Sequence, residues 1–190
     1  MVKSKWAMVT ITAVFLLVQI VVMFGIAHKG HSDYIRSVMV TTGFWIGYSV
    51  LEARYDFAMS TYVRTLMVLS IFMDAFFGYY YDLYATSFVF DKMLHVFGTY
   101  SFSLFGYVLM VQWLKSPLPA PFKFILITAI GLSFGTLYEI LEFFTDSISH
   151  PYPPSQPSLL DTDVDLIGDF IGAVAAAVHA LYRKFLNRIF

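Results

Sequence analysis

From Trp6 to Ala27 the chain carries no charged residue, and a run of about 20 apolar residues is what one helical crossing of a bilayer requires. Further apolar runs follow at Tyr34 to Leu51, Val63 to Tyr81, Asp91 to Leu114, Phe122 to Thr145 and Asp163 to Tyr182. In hydrocarbon a backbone satisfies its own N–H and C=O groups only as a helix or a closed barrel, and runs of this length read as helices. The expected fold is all-α: an integral membrane bundle of about six transmembrane helices, forming a single domain over residues 1–190. With 58% of the residues hydrophobic and 13% charged, little chain is left for a soluble domain. Lys3 and Lys5 precede the first run and Gly25-Ile-Ala27 resembles a cleavage site, but the run exceeds a signal peptide's apolar core of about 7–15 residues. It is expected to be a retained helix.

Six crossings place Lys3, Lys5, Arg54, Arg64, Lys115, Lys123, Arg183, Lys184 and Arg188 on one side, and only Lys29, Arg36 and Lys92 on the other. The positive-inside rule then puts both termini in the cytoplasm. The acids distribute the opposite way, with Glu52 and Asp56 inside and the rest in the outward half. The topology rule and anionic lipid account for the basic side, but neither calls for an acidic one.

The outward acids fall in three motifs at helix ends. Asp91-Lys-Met-Leu-His95 places Asp91 and His95 one turn apart on one face. Glu139, Glu142 and Asp146 share a face of the next helix, with Tyr138 beside them. After the proline-rich loop His150 to Pro157, the acids Asp161, Asp165 and Asp169 recur every four residues, with Asp163 between them. Carboxylates at the edge of hydrocarbon cost several kcal/mol, on the order of magnitude of a buried polar group, unless paired. Three such stripes are therefore expected to converge on one outward pocket, with Asp74 as a candidate fourth wall. Gly131-Leu-Ser-Phe-Gly135 and Gly168-Asp-Phe-Ile-Gly172 supply small residues for close packing of the last two helices.

The chain has no cysteine, so a metal would be held by oxygen and imidazole. Asp91, His95, Glu139, Glu142, Asp165 and Asp169 are the candidate ligands, and the donor set suits zinc, manganese or magnesium. Glu139 and Glu142 are the candidate catalytic carboxylates; Asp74, Lys92, Tyr138, Asp146 and Asp161 are the candidate supporting residues. Simpler roles compete. Asp161 and Asp163 suit a helix N-terminus, Lys92 suits an interfacial anchor or a partner for the glutamates, and His95 suits a bond to a neighbouring helix. The glutamates suit a neutral, protonated state. An EF-hand fails, because Leu166 and Gly172 stand where that loop needs glycine and glutamate. Tyr79, Tyr80, Tyr81, Tyr84, Trp6, Trp45 and Trp113 read as interfacial belts, and His28, His31 and His179 as solvated or interfacial. No phosphate loop, nucleophile elbow, HExxH, nucleic-acid module or inverted repeat is present.

The Asp91-Lys-x-x-His95 helix, the Tyr138-Glu139 to Glu142-Phe-Phe helix and the Asp161-Thr-Asp-Val-Asp165 segment leading into Gly168-Asp-Phe-Ile-Gly-Ala173 resemble the YjdF-like bacterial inner-membrane proteins over roughly residues 60–180. The layout is more distantly similar to VanZ-like proteins, one of which is associated with glycopeptide resistance. This chain has Leu141-Glu142-Phe143-Phe144 where those continue with Gln and a Phe-x-Pro-x-Arg stretch. The resemblance implies a multi-pass protein of the bacterial inner membrane surrounded by lipid, without a set activity. Three functions are compatible with the acids: a metal-dependent hydrolase of a lipid-linked or envelope substrate, a non-enzymatic envelope protein binding a cationic ligand or partner, and an ion or proton carrier. One-sided clustering of the acids argues against the last, since only Glu52 among the apolar segments lies at the inner face.

Overall fold

A computed structural model describes residues 5–55, 57–114, 118–151 and 154–182. Lys3, Asp56, Lys115, Tyr152, Pro153, Arg183, Lys184 and Arg188 lie outside the described residues, as do the side chains of Lys5 and Asp33. The helices are α1 Lys5–His28, α2 Ser32–Tyr55, α3 Thr61–Met73, α4 Leu83–Thr86, α5 Phe88–Val111, α6 Ala120–Ser149 and α7 Leu159–Tyr182; α3 continues without a break into a π-helical stretch, Asp74–Tyr80. No strand occurs among the described residues. Each long helix, counting α3 with its π-helical extension as one, exceeds or matches the hydrocarbon thickness of about 30 Å at a rise of about 1.5 Å per residue. Five, namely Trp6–His28, Thr61–Tyr80, Phe88–Val111, Ala120–Ser149 and Leu159–Tyr182, are long and apolar enough to cross a membrane. The helix α2 matches them in length but carries Arg36, Glu52 and Arg54.

The surface is apolar and the interior holds the charges. Leu17, Val21, Phe24, Phe122 and Ile125 are more than 60% exposed, whereas Glu52, Arg64, Asp74, His95, Lys123, Glu139, Asp161, Asp165 and Asp169 are buried. That arrangement suits lipid on the outside. The helix α5 is the hub: it packs on α3, α6 and α7, while α1 packs on α2 and α3. At one end of the bundle Arg64 donates from Nη1 to Glu52 Oε2 and from Nη2 to Glu52 Oε1, both at 2.6 Å, tying α3 to α2. The partnered fork accounts for Glu52, the acid expected at the inner face within the apolar segments.

Several boundaries differ from the sequence reading because side chains cap the helices outside the apolar runs. Ser87 Oγ accepts from Phe90 N–H, so α5 starts three residues before Asp91 and ends at Val111 rather than Leu114. Ser158 Oγ accepts from Asp161 N–H, so α7 starts at Leu159 with Ser158 as its cap and Asp161 in its first turn. The helix α6 continues past Thr145 to Ser149, where His150 turns left-handed at φ 46°.

The two glycine pairs also divide their work differently. A Cβ on Gly131 would meet Ser103 and Ala173, and one on Gly135 would fall on the Asp169 carboxylate, so the α6 pair does admit α7. The α7 pair faces α5 instead: a Cβ on Gly172 would strike the Val96 carbonyl, and Gly168 lies over Lys92 and His95. The expected close packing of the last two helices is present, with the α6 pair providing it, while the α7 pair serves the contact with α5. Among the aromatics, Trp6 and Trp113 are exposed as belts require, but Trp45 is fully buried and donates from Nε1 to Thr12 Oγ1 at 3.2 Å. His179 is likewise not merely interfacial; its Nδ1 is hydrogen-bonded to the Tyr100 hydroxyl, and the two rings stack.

Replacing Gly172 with Ala is expected to lower stability by about 1–3 kcal/mol, the usual range for overpacking, because the backbone of α5 blocks the new methyl. Thermal unfolding in detergent measures this. Gly47→Ala, where a Cβ has nothing within 4 Å, is the matched control and is expected to leave the midpoint unchanged.

Candidate functional site

Three helices bring their acids together at the end of the bundle that the charge rule assigns to the outside. The centre is His95 on α5. Its Nδ1 lies 3.2 Å from Asp169 Oδ1 on α7; a carboxylate accepts and does not donate, so Nδ1 carries a proton toward Asp169 and Nε2 points at the remaining acids. Around Nε2 stand Asp91 Oδ1 at 3.8 Å, Glu139 Oε1 at 3.8 Å and Asp165 Oδ1 at 3.7 Å. These belong to α5, α6 and α7, and the convergence comes from the packing rather than from any one motif.

The four groups share one construction. Each is held by a protein partner through one atom and turns the other toward the centre. Asp91 Oδ2 and Asp165 Oδ2 accept from Lys92 Nζ at 2.8 and 2.6 Å, Glu139 Oε2 accepts from Gln156 Nε2 at 2.7 Å, and His95 Nδ1 is held by Asp169. The inward atoms His95 Nε2, Glu139 Oε1 and Asp165 Oδ1 are buried with no hydrogen-bond partner among the described residues. Buried polar atoms without partners are rare and costly, so three within one cluster make it distinctive. Potential ligand atoms of Asp91, His95 and Asp165 lie within 4.8 Å of one another, as do those of His95, Glu139 and Glu142. Two ligands each about 2.1 Å from a tetrahedral ion sit about 3.4 Å apart. The spacings from His95 Nε2 to Asp91, Glu139 and Asp165, 3.7–3.8 Å, are close to that value, while the other pairs within each group, at up to 4.8 Å, would have to draw together around an ion.

The remaining predicted residues are distributed around this core. Lys92 pairs with Asp91, Asp161 and Asp165 rather than with the glutamates. Asp161 is thus buried in an ion pair, and Asp163 is exposed. Tyr138 sets its ring edge-on to His95 at 5.6 Å between centroids. Asp146 does not join the pocket. Its carboxylate accepts from the backbone N–H groups of Ser155 and Gln156, each at 2.8 Å, and so fixes the loop that brings Gln156 to Glu139. Asp74 is buried where the π-helical stretch begins, and its Oδ1 accepts from the Tyr84 hydroxyl at 2.6 Å, leaving Oδ2 without a partner among the described residues. Burial and the Asp74 charge push the Tyr84 phenol well above its ordinary range, so it remains a donor.

Sequence reasoning missed Thr99, Gln156 and Tyr84. The Thr99 hydroxyl donates to Asp169 Oδ1 at 2.5 Å, and its position four residues after His95 was the available signal. Gln156 and Tyr84 sit in connecting segments and had no periodic signal at all.

Fold and surface define an all-α membrane protein with an acidic, histidine-centred cluster buried among three of its helices. The chain belongs to the family described as "Predicted membrane protein (DUF2238)", whose model matches residues 8–185. A Thermotoga maritima protein described as an uncharacterized protein is 33% identical over 129 residues, covering 67% of this chain and 66%, just under two thirds, of that relative. No solved structure matches the chain.

Tyr84→Phe removes the donor to Asp74 and leaves both carboxylate oxygens without a partner. A loss of about 1–3 kcal/mol is expected, the cost of an unsatisfied buried group, read as a lower unfolding midpoint in detergent.

Proposed function

We propose that this protein binds a divalent cation through His95 Nε2, Asp91, Glu139 and Asp165, and that the bound ion serves hydrolysis of a lipid-linked or envelope substrate in a bacterial inner membrane. The observation that carries the reading is the set of inward, partnerless ligand atoms, each anchored from behind by a second protein group. Ligands oriented by an outer shell in this way, with histidine held through its other nitrogen by a carboxylate, are the usual construction of metal sites. An imidazole with several carboxylates suits zinc, manganese or magnesium. Among the described residues, Lys92 is the one ammonium paired with these acids, and it reaches Asp91, Asp161 and Asp165 but not Glu139, Glu142 or Asp169, so a divalent ion would also relieve their repulsion.

Such an ion supplies Lewis acidity toward an ester or phosphoester oxygen and toward water. Within the chain, Glu142 is half-buried beside His95 and Glu139, and in this reading it is the general base. It would take a proton from the attacking water as the new O–C or O–P bond forms, and would return that proton to the leaving oxygen as the bond from that oxygen to carbon or phosphorus breaks. Asp169 and Thr99 keep the His95 proton on Nδ1 throughout. The resemblance to YjdF-like proteins supports the membrane setting, not the substrate. The second reading, an accessory protein of the VanZ-like kind that binds without turnover, draws on the depth of the cluster: His95 is 7% and Asp165 1% exposed.

The test is elemental analysis of the purified protein together with thermal unfolding, with and without chelator. Bound zinc or manganese is expected, with stabilisation of about 2.7 kcal/mol when the free ion stands at 100 times its Kd. His95→Ala and Glu139→Gln are expected to lose the ion, with affinity falling at least as far as the roughly 10–100-fold cost of outer-shell changes. No ion in the wild type and no chelator effect would sink the reading. Bound ion without release of product from lipid-linked phosphoesters or esters would leave the binding protein.

A further inference from the structure

Lys92 is a cation placed against a cluster proposed to bind a cation, which simple electrostatics disfavours. Its geometry gives it a different role. An ammonium has three N–H donors and no acceptor, and each of the three has a carboxylate: Asp91 Oδ2 at 2.8 Å, Asp161 Oδ1 at 2.5 Å and Asp165 Oδ2 at 2.6 Å. The side chain is 12% exposed, and Nζ also lies 4.9 Å from the centre of the Phe88 ring. Two of its three partners, Asp91 and Asp165, turn their other oxygens toward His95 Nε2 at 3.8 and 3.7 Å. Those two aspartates come from different helices. A methyl group on Gly168 would lie only 3.4 Å from the Lys92 carbonyl oxygen, so α7 approaches closely enough for the bridge to form.

Resting on the cation site proposed above, we infer that Lys92 is a positioning residue for that site: its ammonium holds Asp91 and Asp165 in the orientation that presents their free oxygens to the ion, and Asp161 completes its coordination without touching the ion. A point charge near a cation site and a clamp on its ligands make opposite predictions. Removing a nearby positive charge should tighten cation binding if charge is what matters. Removing the clamp lets both carboxylates turn away and weakens it.

The experiment is titration of the metal-free, full-length protein in detergent with Mn²⁺ and, separately, Zn²⁺, by calorimetry and, for Mn²⁺, by electron paramagnetic resonance. Lys92→Met is expected to bind about 10–100-fold more weakly than wild type, the range for loss of an outer-shell partner, and Lys92→Arg, which keeps charge and donors, is expected to recover part of that loss. Asp161→Asn is expected to weaken binding by a smaller factor, although it removes no ligand. Unchanged or tighter binding in Lys92→Met, with helical content and elution profile preserved, overturns the clamp. If Lys92→Met does not fold, Asp161→Asn decides: unchanged affinity there overturns it. Wild-type protein that binds neither ion defeats the site itself, an outcome separate from failure of the clamp, which requires a wild type that binds.

Discussion

A charged carboxylate inside a bundle clothed in lipid needs an opposite charge or a set of donors, and the acidic end of this protein is built around that requirement. Lys92, Gln156, Thr99, Tyr84 and backbone N–H groups of the α6–α7 loop each engage a carboxylate. Lys92, Gln156 and Thr99 satisfy one side of the cluster, while Tyr84 and the loop N–H groups satisfy Asp74 and Asp146 outside it. The other side, facing His95 Nε2, has no donors among the described residues, and low dielectric makes such a gap expensive. The half that is satisfied gives rigidity; the half that is not is the one the proposed cation would fill.

The packing that creates this site depends on small residues more than on large ones. Gly135 leaves room for the Asp169 carboxylate, and Gly168 and Gly172 let α7 lie against the α5 backbone beside Lys92, His95 and Val96. Between apolar helices in lipid there is no hydrophobic drive to associate, so close backbone approach and polar contacts carry the association. The same glycines therefore stabilise the bundle and bring the aspartates of α7 within reach of α5. At the opposite end the Arg64 and Glu52 fork closes a separate polar demand, which leaves the acidic end chemically distinct from the rest.

Much of the architecture was legible in the chain. The apolar runs located the long helices, because a backbone in hydrocarbon has few alternatives to helix, and the spacing of Asp91 with His95, of Glu139 with Glu142, and of Asp165 with Asp169 placed each pair on one face. The caps were less legible: Ser87 and Ser158 begin helices before the apolar runs do, and a single hydroxyl is a weak signal beside hydropathy. Trp45 shows the limit of composition. An amphipathic ring suits an interface, yet a hydroxyl on α1 satisfies its N–H and lets it be buried.

Helical periodicity and charge by themselves determined that this is an all-α membrane protein with its acids gathered on one side, because spans and faces follow from local spacing. Which acids act together was decided only by tertiary structure. Asp146 shares a helix face with Glu139 and Glu142 but serves the loop, while Asp161, a plausible cap by position, is a partner of Lys92. Both outcomes turn on which helix or loop lies opposite, and that is set by the fit of glycine grooves and the closure of a connecting segment, neither of which has a period in the sequence.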